Sequence, residues 1–220
     1  MVRKTMRWPL RVVVGFLALI GVGASVSYFV REPANLDFLD YPTIVAVHVV
    51  LGALYMLFAP FQFVSRIRSR HIGYHRRMGR VLVALGLVVG VTALFLGLVI
   101  PFSGWAERVL IGLFGSLFLF AVGKGFLHVR AGRVALHREW MIRAFAIALA
   151  IATQRVIFIP SLFVVGDPTY GQVVTLSIVA WSAALVVHSS LAEVWICLTR
   201  KRRVSSTRVT RATHDPTPDS

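Results

Sequence analysis

Six stretches of predominantly apolar residues, each about as long as a bilayer is thick, alternate with short polar connections along the chain. They are Leu10–Val30, Thr43–Val64, Val81–Ile100, Glu107–Leu127, Met141–Val165 and Val173–Leu198. A hydrocarbon core takes roughly 20 residues of α-helix. Inside it each backbone N–H and C=O must find a partner within its own segment, so the segments are helical rather than extended. The pattern predicts an all-α fold: a bundle of six transmembrane helices over residues 10–198. A cytoplasmic N-tail of residues 1–9 precedes it, and residues 199–220 form a basic cytoplasmic tail. That tail turns to Arg, Ser, Thr, Pro and Asp, with almost nothing to bury, and is expected to be disordered, His214 included. The first stretch exceeds the ~7–15-residue core of a cleavable signal peptide and is read as a retained span.

Composition agrees. At 57% hydrophobic and 15% charged, a soluble domain of 220 residues would expose large apolar patches to water. The formal charge of +15 would ordinarily suggest nucleic acid, but its placement accounts for it. Of the 24 Lys and Arg residues, 21 fall on one side: before or at the start of the first run, at or near every second connection, or after the last. Arg31 and Arg108 lie on the other side, and Arg155 sits within a run. Basic residues near span ends are retained in the cytoplasm, which predicts an N-in, C-in topology in a plasma membrane. Each basic residue near the surface adds about 1 kcal/mol of attraction to anionic lipid, so the partners expected are the bilayer and anionic lipid at its cytoplasmic face. No aromatic–basic platform accompanies the charge, and nucleic acid is not expected as a partner. Cys197 is the sole cysteine, excluding an internal disulfide, an iron–sulfur cluster and a thiolate zinc site.

Within the runs, Pro60 and Pro160 are placed to kink the second and fifth spans. Trp8, Trp105, Trp140 and Trp195 fall at expected interfaces, where indole rings settle. Gly86, Gly90, Ala93 and Gly97 share one face of the third span, allowing another helix to approach closely. His75-Arg76-Arg77-Met78-Gly79-Arg80 opens the third span and His137-Arg138-Glu139-Trp140-Met141-Ile142-Arg143 the fifth. The two pieces match after a one-residue shift, as a parallel duplication would leave them.

Ionisable groups at depth are costly and mark functional positions. His48, Arg155 and His188 stand out, with Gln62, Lys124, Gln154 and Glu193 as lesser members. His48 and Arg155 suit a site where imidazole holds a cofactor or proton and guanidinium an anionic group; alternatively each bonds to backbone or Gln154. Counting ~1.5 Å per residue puts His48 ~8 Å below the outer surface and His188 ~22 Å below it, a difference of ~14 Å. Two haem ligands need nitrogens only ~4 Å apart, twice a ~2 Å metal–imidazole bond. Those two therefore cannot share an iron, and a haem would take His188 with His128, His75 or His137. His188 and His128 are the leading iron-ligand pair, with Lys124 on the same face as His128. The alternative is that His71, His75, His128 and His137 are solvated at headgroup level. No phosphate loop, paired carboxylates or His-Glu-x-x-His is present, so no soluble-enzyme chemistry is indicated.

The pieces His48-x-x-x-Gly52 to Pro60-Phe61-Gln62-Phe63, His75-Arg76-x-x-Gly79-Arg80, and His137-Arg138-x-Trp140-Met141-x-Arg143 with Arg155 resemble a bacterial family of multi-pass membrane proteins. That family is known only as a domain of unknown function, and the likeness covers roughly residues 43–160. It implies membrane location and draws attention to Gln62, Arg80, Arg138, Trp140 and Arg143 beside the histidines. The chain is also distantly similar to b-type cytochrome bundles, which implies histidine-held haem. Three functions follow as expectations: a membrane redox protein binding haem b or quinone through its histidines, a small proton-coupled carrier using Arg155, His48 and His188, or a non-catalytic membrane partner docking through basic loops.

Overall fold

The computed structural model describes residues 7–30 and 36–212, with side chains over 12–26 and 37–200. The described residues form helices: α1 (Arg7–Val30), α2 (Pro42–Gln62), α3 (Ser65–Arg70), α4 (Ile72–Val99), α5 (Gly104–Arg130), α6 (Val134–Val165) and α7 (Tyr170–Ala212). A 3-10 turn, Leu36–Asp40, leads into α2. Five of them (α2, α4, α5, α6, and α7 through Arg200) are long and apolar enough to cross a membrane. The shortest of the five, α2 at 21 residues, rises about 32 Å. In α1 the segment Val12–Val26 is apolar.

The helices overrun the apolar runs that announce them. α4 begins at Ile72 and α6 at Val134, so the basic stretches expected to be connections are instead first turns of helix. α7 continues to Ala212, past the boundary at Leu198 where a disordered tail was expected; residues 213–220, and with them His214, lie outside the described residues. The physical reason is that hydropathy reports where hydrocarbon ends, whereas Arg, Lys and Met are good helix formers that carry the helix on into the headgroup layer. The stops are local. Gly132 (φ +71) and Gly166 (φ +81) take up left-handed backbone beyond the ends of α5 and α6, which glycine adopts at little cost. Pro160 lies inside α6 and has no N–H to give the carbonyl of Val156.

Packing places α2, α4, α5 and α6 in a ring, each touching its two neighbours, so α4 and α6 stand diagonally. α1 lies in the groove between α2 and α6, and α7 packs on the far flank of α6 with a lighter contact to α5. α6 is thus surrounded, and its sequence fits that position: Ala144, Ala146, Ala148, Ala150 and Ala152 are all buried. Small residues let four neighbours approach one helix. Outside, the pattern reverses. Phe163 is 81% exposed and Val164 87%, with Val91, Leu113, Val179 and Leu191 also exposed. An interior of small residues under an exterior of large apolar ones is suited to lipid rather than water.

The small-residue face expected on the third span is present. A Cβ at Gly90 would lie 2.5 Å from Leu119 Cδ2, and one at Gly97 2.5 Å from Ile111 Cγ2, so α5 rests directly on the backbone of α4.

Two ion pairs join α6 to α7. Arg143 makes a forked contact with Glu193 (Nε–Oε1 2.5 Å, Nη2–Oε2 2.9 Å), and Arg200 reaches Glu139. The Arg143 guanidinium also lies 4.7 Å from the Trp140 ring centroid. Because Glu193 is half exposed, its pairing contributes at most about 1 kcal/mol. Arg143→Ala is expected to lower the unfolding midpoint in detergent more than Glu193→Gln does, since it removes the ion pair and the ring contact together. Equal effects from the two variants would contradict the role given to Trp140.

Candidate functional site

One end of the bundle is where α2 and α5 finish and α4 and α6 begin, and it gathers Arg66, Arg68, Arg70, Arg76, Arg77, Arg80, Arg130, Arg133 and Arg138. It is called the basic end below. His75 is the fourth residue of α4 and His137 the fourth of α6. Each backbone N–H closes the first turn onto the residue before the helix, His71 and Arg133 respectively, at 3.0 Å. The two related motifs thus start their helices in the same register and carry their histidines into the bundle from diagonal positions. The charge of His137 acts on His75, as do those of Arg68 and Arg76.

His137 is held by its Nδ1–H, which donates to the Gly125 carbonyl of α5 at 2.8 Å. That bond fixes the ring and leaves Nε2 available, the arrangement seen where an imidazole serves a ligand. Gln62, in the last turn of α2, packs over Gly79, where an added Cβ would meet its Oε1 at 3.7 Å. Gly79 is one turn from His75 on the same face of α4. Gln62 Nε2 and His75 Nδ1 are buried and have no hydrogen-bond partner among the described residues. Beside them Phe63 stacks on Phe145, centroids 5.0 Å apart. α2 and α4 therefore bring together two nitrogens that lack a partner among the described residues, within the field of His137 on α6.

The other residues singled out in the sequence lie elsewhere. Arg80 is exposed. Arg138 lines a groove of about 390 Å³ with Glu139 and Arg200 between α6 and α7. Trp140 packs edge-on against Phe120, over which Lys124 is placed. His48 Nδ1 is 3.0 Å from Thr92 Oγ1 on α4. The Thr92 hydroxyl also reaches the Val88 carbonyl at 2.9 Å and the Val89 carbonyl at 3.1 Å, which ties His48 to the backbone of α4. Arg155 Nη1 donates to the Ile151 carbonyl at 3.0 Å, and its charge acts on His48. His188 Nε2 pairs with Thr153 Oγ1 at 2.7 Å.

These contacts correct two expectations. His188 sits beside Thr153 on α6, while the Phe63–Phe145 stack sets α2 antiparallel to α6 with His48 level with about residue 160, so the two histidines still differ in depth by roughly 10 Å. What also separates the two histidines is α6, which packs against both α2 and α7 while those two do not touch. The same geometry parts His188 from His128. Gly125 lies level with His137 and Glu193 with Arg143. His128 is then about 25 Å along the bundle from His188, and His75 and His137 about 20 Å from it. No pair containing His188 can share one iron. A continuous polar path through His48, Arg155 and His188 is likewise interrupted, because the first and last lie on opposite flanks of α6. Of the alternative bonds to backbone or Gln154, Arg155 makes the backbone one, to the Ile151 carbonyl, and His48 pairs with Thr92 instead. Thr92, Thr153 and the Gly125 carbonyl escape a search for ionisable groups; hydroxyls inside apolar runs were the available signal for the two threonines. Among the described residues no group of three or more His, Cys, Asp or Glu is arranged to hold a metal ion.

No curated protein and no solved structure matches the chain. A family profile matches residues 45–196, which includes Gln62, both related motifs, Arg155 and His188. With more than half its length inside that match, and with a bundle of apolar helices to go with it, the chain belongs to the predicted membrane protein family DUF2306.

Proposed function

We propose that this integral membrane protein is a redox protein that binds a quinone head group at the Gln62–His75–His137 cluster. The observation that carries the reading is the pair of buried, partnerless nitrogens, Gln62 Nε2 and His75 Nδ1, beside the oriented imidazole of His137. A buried donor left unsatisfied costs about 1–3 kcal/mol, so a ligand bringing carbonyl oxygen into this place is favoured by that amount per bond. A quinone offers carbonyl oxygens on a flat apolar ring and travels in the bilayer, and the Phe63–Phe145 stack supplies an aromatic wall. When bound it supplies electron transfer coupled to protons. The chain's part is to donate from Gln62 and His75 to a carbonyl oxygen and to hold a proton at His137 Nε2.

Haem b is the second reading, because two imidazoles enter from diagonal helices in equal register. The distinguishing measurement is an absorption spectrum of protein purified from haem-replete cells. A colourless preparation that binds a short-chain benzoquinone saturably, followed by tryptophan quenching, supports the quinone site. A Soret band lost in His75→Ala and His137→Ala moves the assignment to haem. A colourless protein that binds no quinone overturns both.

The reading includes six spans, with α1 as the first, and the basic end in the cytoplasm of a bacterial plasma membrane. The run of Arg66, Arg68, Arg70, Arg76 and Arg77 beside the cluster supports that orientation. A reporter fused after Ser69 is expected to be active only in its cytoplasmic form; periplasmic activity there would invert the topology.

A further inference from the structure

The structure assigns a second site, away from the basic end: an oxyanion-binding hollow formed by Arg155, His48 and Gly52. Three independent features meet there. The first is a cation without a counter-ion. Arg155 belongs to the interior stripe of α6, at the i+3 and i+7 positions from the buried Ala152 and Ala148. Its one hydrogen bond among the described residues goes to the Ile151 carbonyl, and no described carboxylate lies within 4 Å of it. A guanidinium carries five donors in a planar fork suited to carboxylate or phosphate. Within a bundle of membrane helices an uncompensated charge of this kind is costly, and an anion relieves it.

The second feature is space. On α2 the buried residues are Val45, Tyr55, Met56 and Ala59. At 100° per residue they span an arc whose middle falls on Gly52. A residue at the centre of a buried face should be crowded, as Gly86 is against Tyr55 (3.2 Å) and Gly21 against Met56 (3.0 Å). A Cβ built on Gly52 meets nothing within 4 Å. The buried face of α2 therefore has a gap one turn from His48 and within the reach of a long side chain from α6.

The third feature is a poised polar neighbour. His48 is on the same arc as Gly52, is anchored to Thr92 through Nδ1, and lies within the field of Arg155. A proton taken up on the His48 ring alongside the anion would give the ligand oxygens a second cationic donor beside the guanidinium. The occupant fitting all three is a small singly charged oxyanion, a phosphate or a carboxylate, arriving either as a free solute or as the headgroup of an anionic lipid.

The test uses the whole protein in nanodiscs of zwitterionic phosphatidylcholine, with the unfolding midpoint as readout. Inorganic phosphate and acetate are titrated in one arm, and phosphatidylglycerol is mixed into the disc in the other. A saturable rise with the solutes identifies a soluble ligand and a rise with the lipid alone a headgroup; either supports the site. Arg155→Gln is expected to abolish the rise, and Gly52→Leu, which fills the gap without touching the guanidinium, to weaken apparent affinity at least tenfold. No saturable rise with any probe, or an unaltered rise in Arg155→Gln, overturns the assignment. Should Arg155→Gln fail to fold, Gly52→Leu decides, and undiminished affinity in it is the overturning result.

Discussion

His137→Ala is expected to weaken quinone binding by ten- to a hundredfold while leaving the protein folded and in the membrane. The size follows from what the side chain does. Its Nδ1–H is bonded to the Gly125 carbonyl, which leaves Nε2 for a ligand, and its charge acts on His75, whose Nδ1, like Gln62 Nε2, has no partner among the described residues. Deleting it removes one hydrogen bond to the ligand, about 1–1.5 kcal/mol, or roughly tenfold. A carbonyl that loses its donor and a pocket that admits water account for the rest. Folding should survive, since the Gly125 carbonyl lies inside α5 and keeps its intrahelical partner when the imidazole is removed. Gln62→Leu is the paired control. It preserves volume, removes an unsatisfied amide from the free protein, and is expected to raise the unfolding midpoint while lowering quinone affinity about tenfold. That opposite movement of stability and binding is the signature of a group kept for a ligand rather than for the fold. If Gln62→Leu destabilises the protein and binding is unaffected, the orphaned nitrogens are packing features and the quinone site is withdrawn.

How much of this was legible in the sequence divides along a physical line. The apolar runs and the related His-Arg motifs are properties of single helices, and they located every long helix, though not the first residues of α4 and α6, which begin at Ile72 and Val134. Lateral neighbours are not encoded in one helix's periodicity. That α4 and α6 stand diagonally, so that His75 and His137 approach one another, depends on the small-residue seams along Gly86, Gly90 and Gly97 and along the alanines of α6. The separation of His188 from the inner histidines was misread for a related reason. Counting from the edge of an apolar run treats that edge as the helix end, yet α7 starts three residues before its run and continues beyond it to Ala212. His188 was accordingly grouped with His128, when its partner is Thr153. Arg155 and His48 needed no such count: a guanidinium and an imidazole inside apolar runs announce themselves.

The largest effect on the fold is expected from Gly90→Leu or Gly97→Leu. At both positions even a single added carbon would lie 2.5 Å from a side-chain atom of α5, against Leu119 at one and Ile111 at the other. Real Cβ contacts do not come that close, so the α5 side chains must shift, and with a whole Leu side chain to place α4 and α5 are expected to part. Overpacking in a filled interior costs about 1–3 kcal/mol per site. In hydrocarbon no hydrophobic force returns the helices, because lipid tails are as apolar as the side chains they displace. Parting α4 from α5 also shifts α4 relative to α2, which sits in the same ring, and so moves His75 away from Gln62. Both variants are therefore expected to lose most of their folded yield, and any folded fraction to bind quinone weakly. Gly23→Leu is the matched comparison: an added Cβ there meets nothing within 4 Å, it is exposed on α1, and it should express and bind as the unaltered protein does. Retention of full yield and affinity in Gly97→Leu would mean that the α4–α5 seam is not what holds the site together.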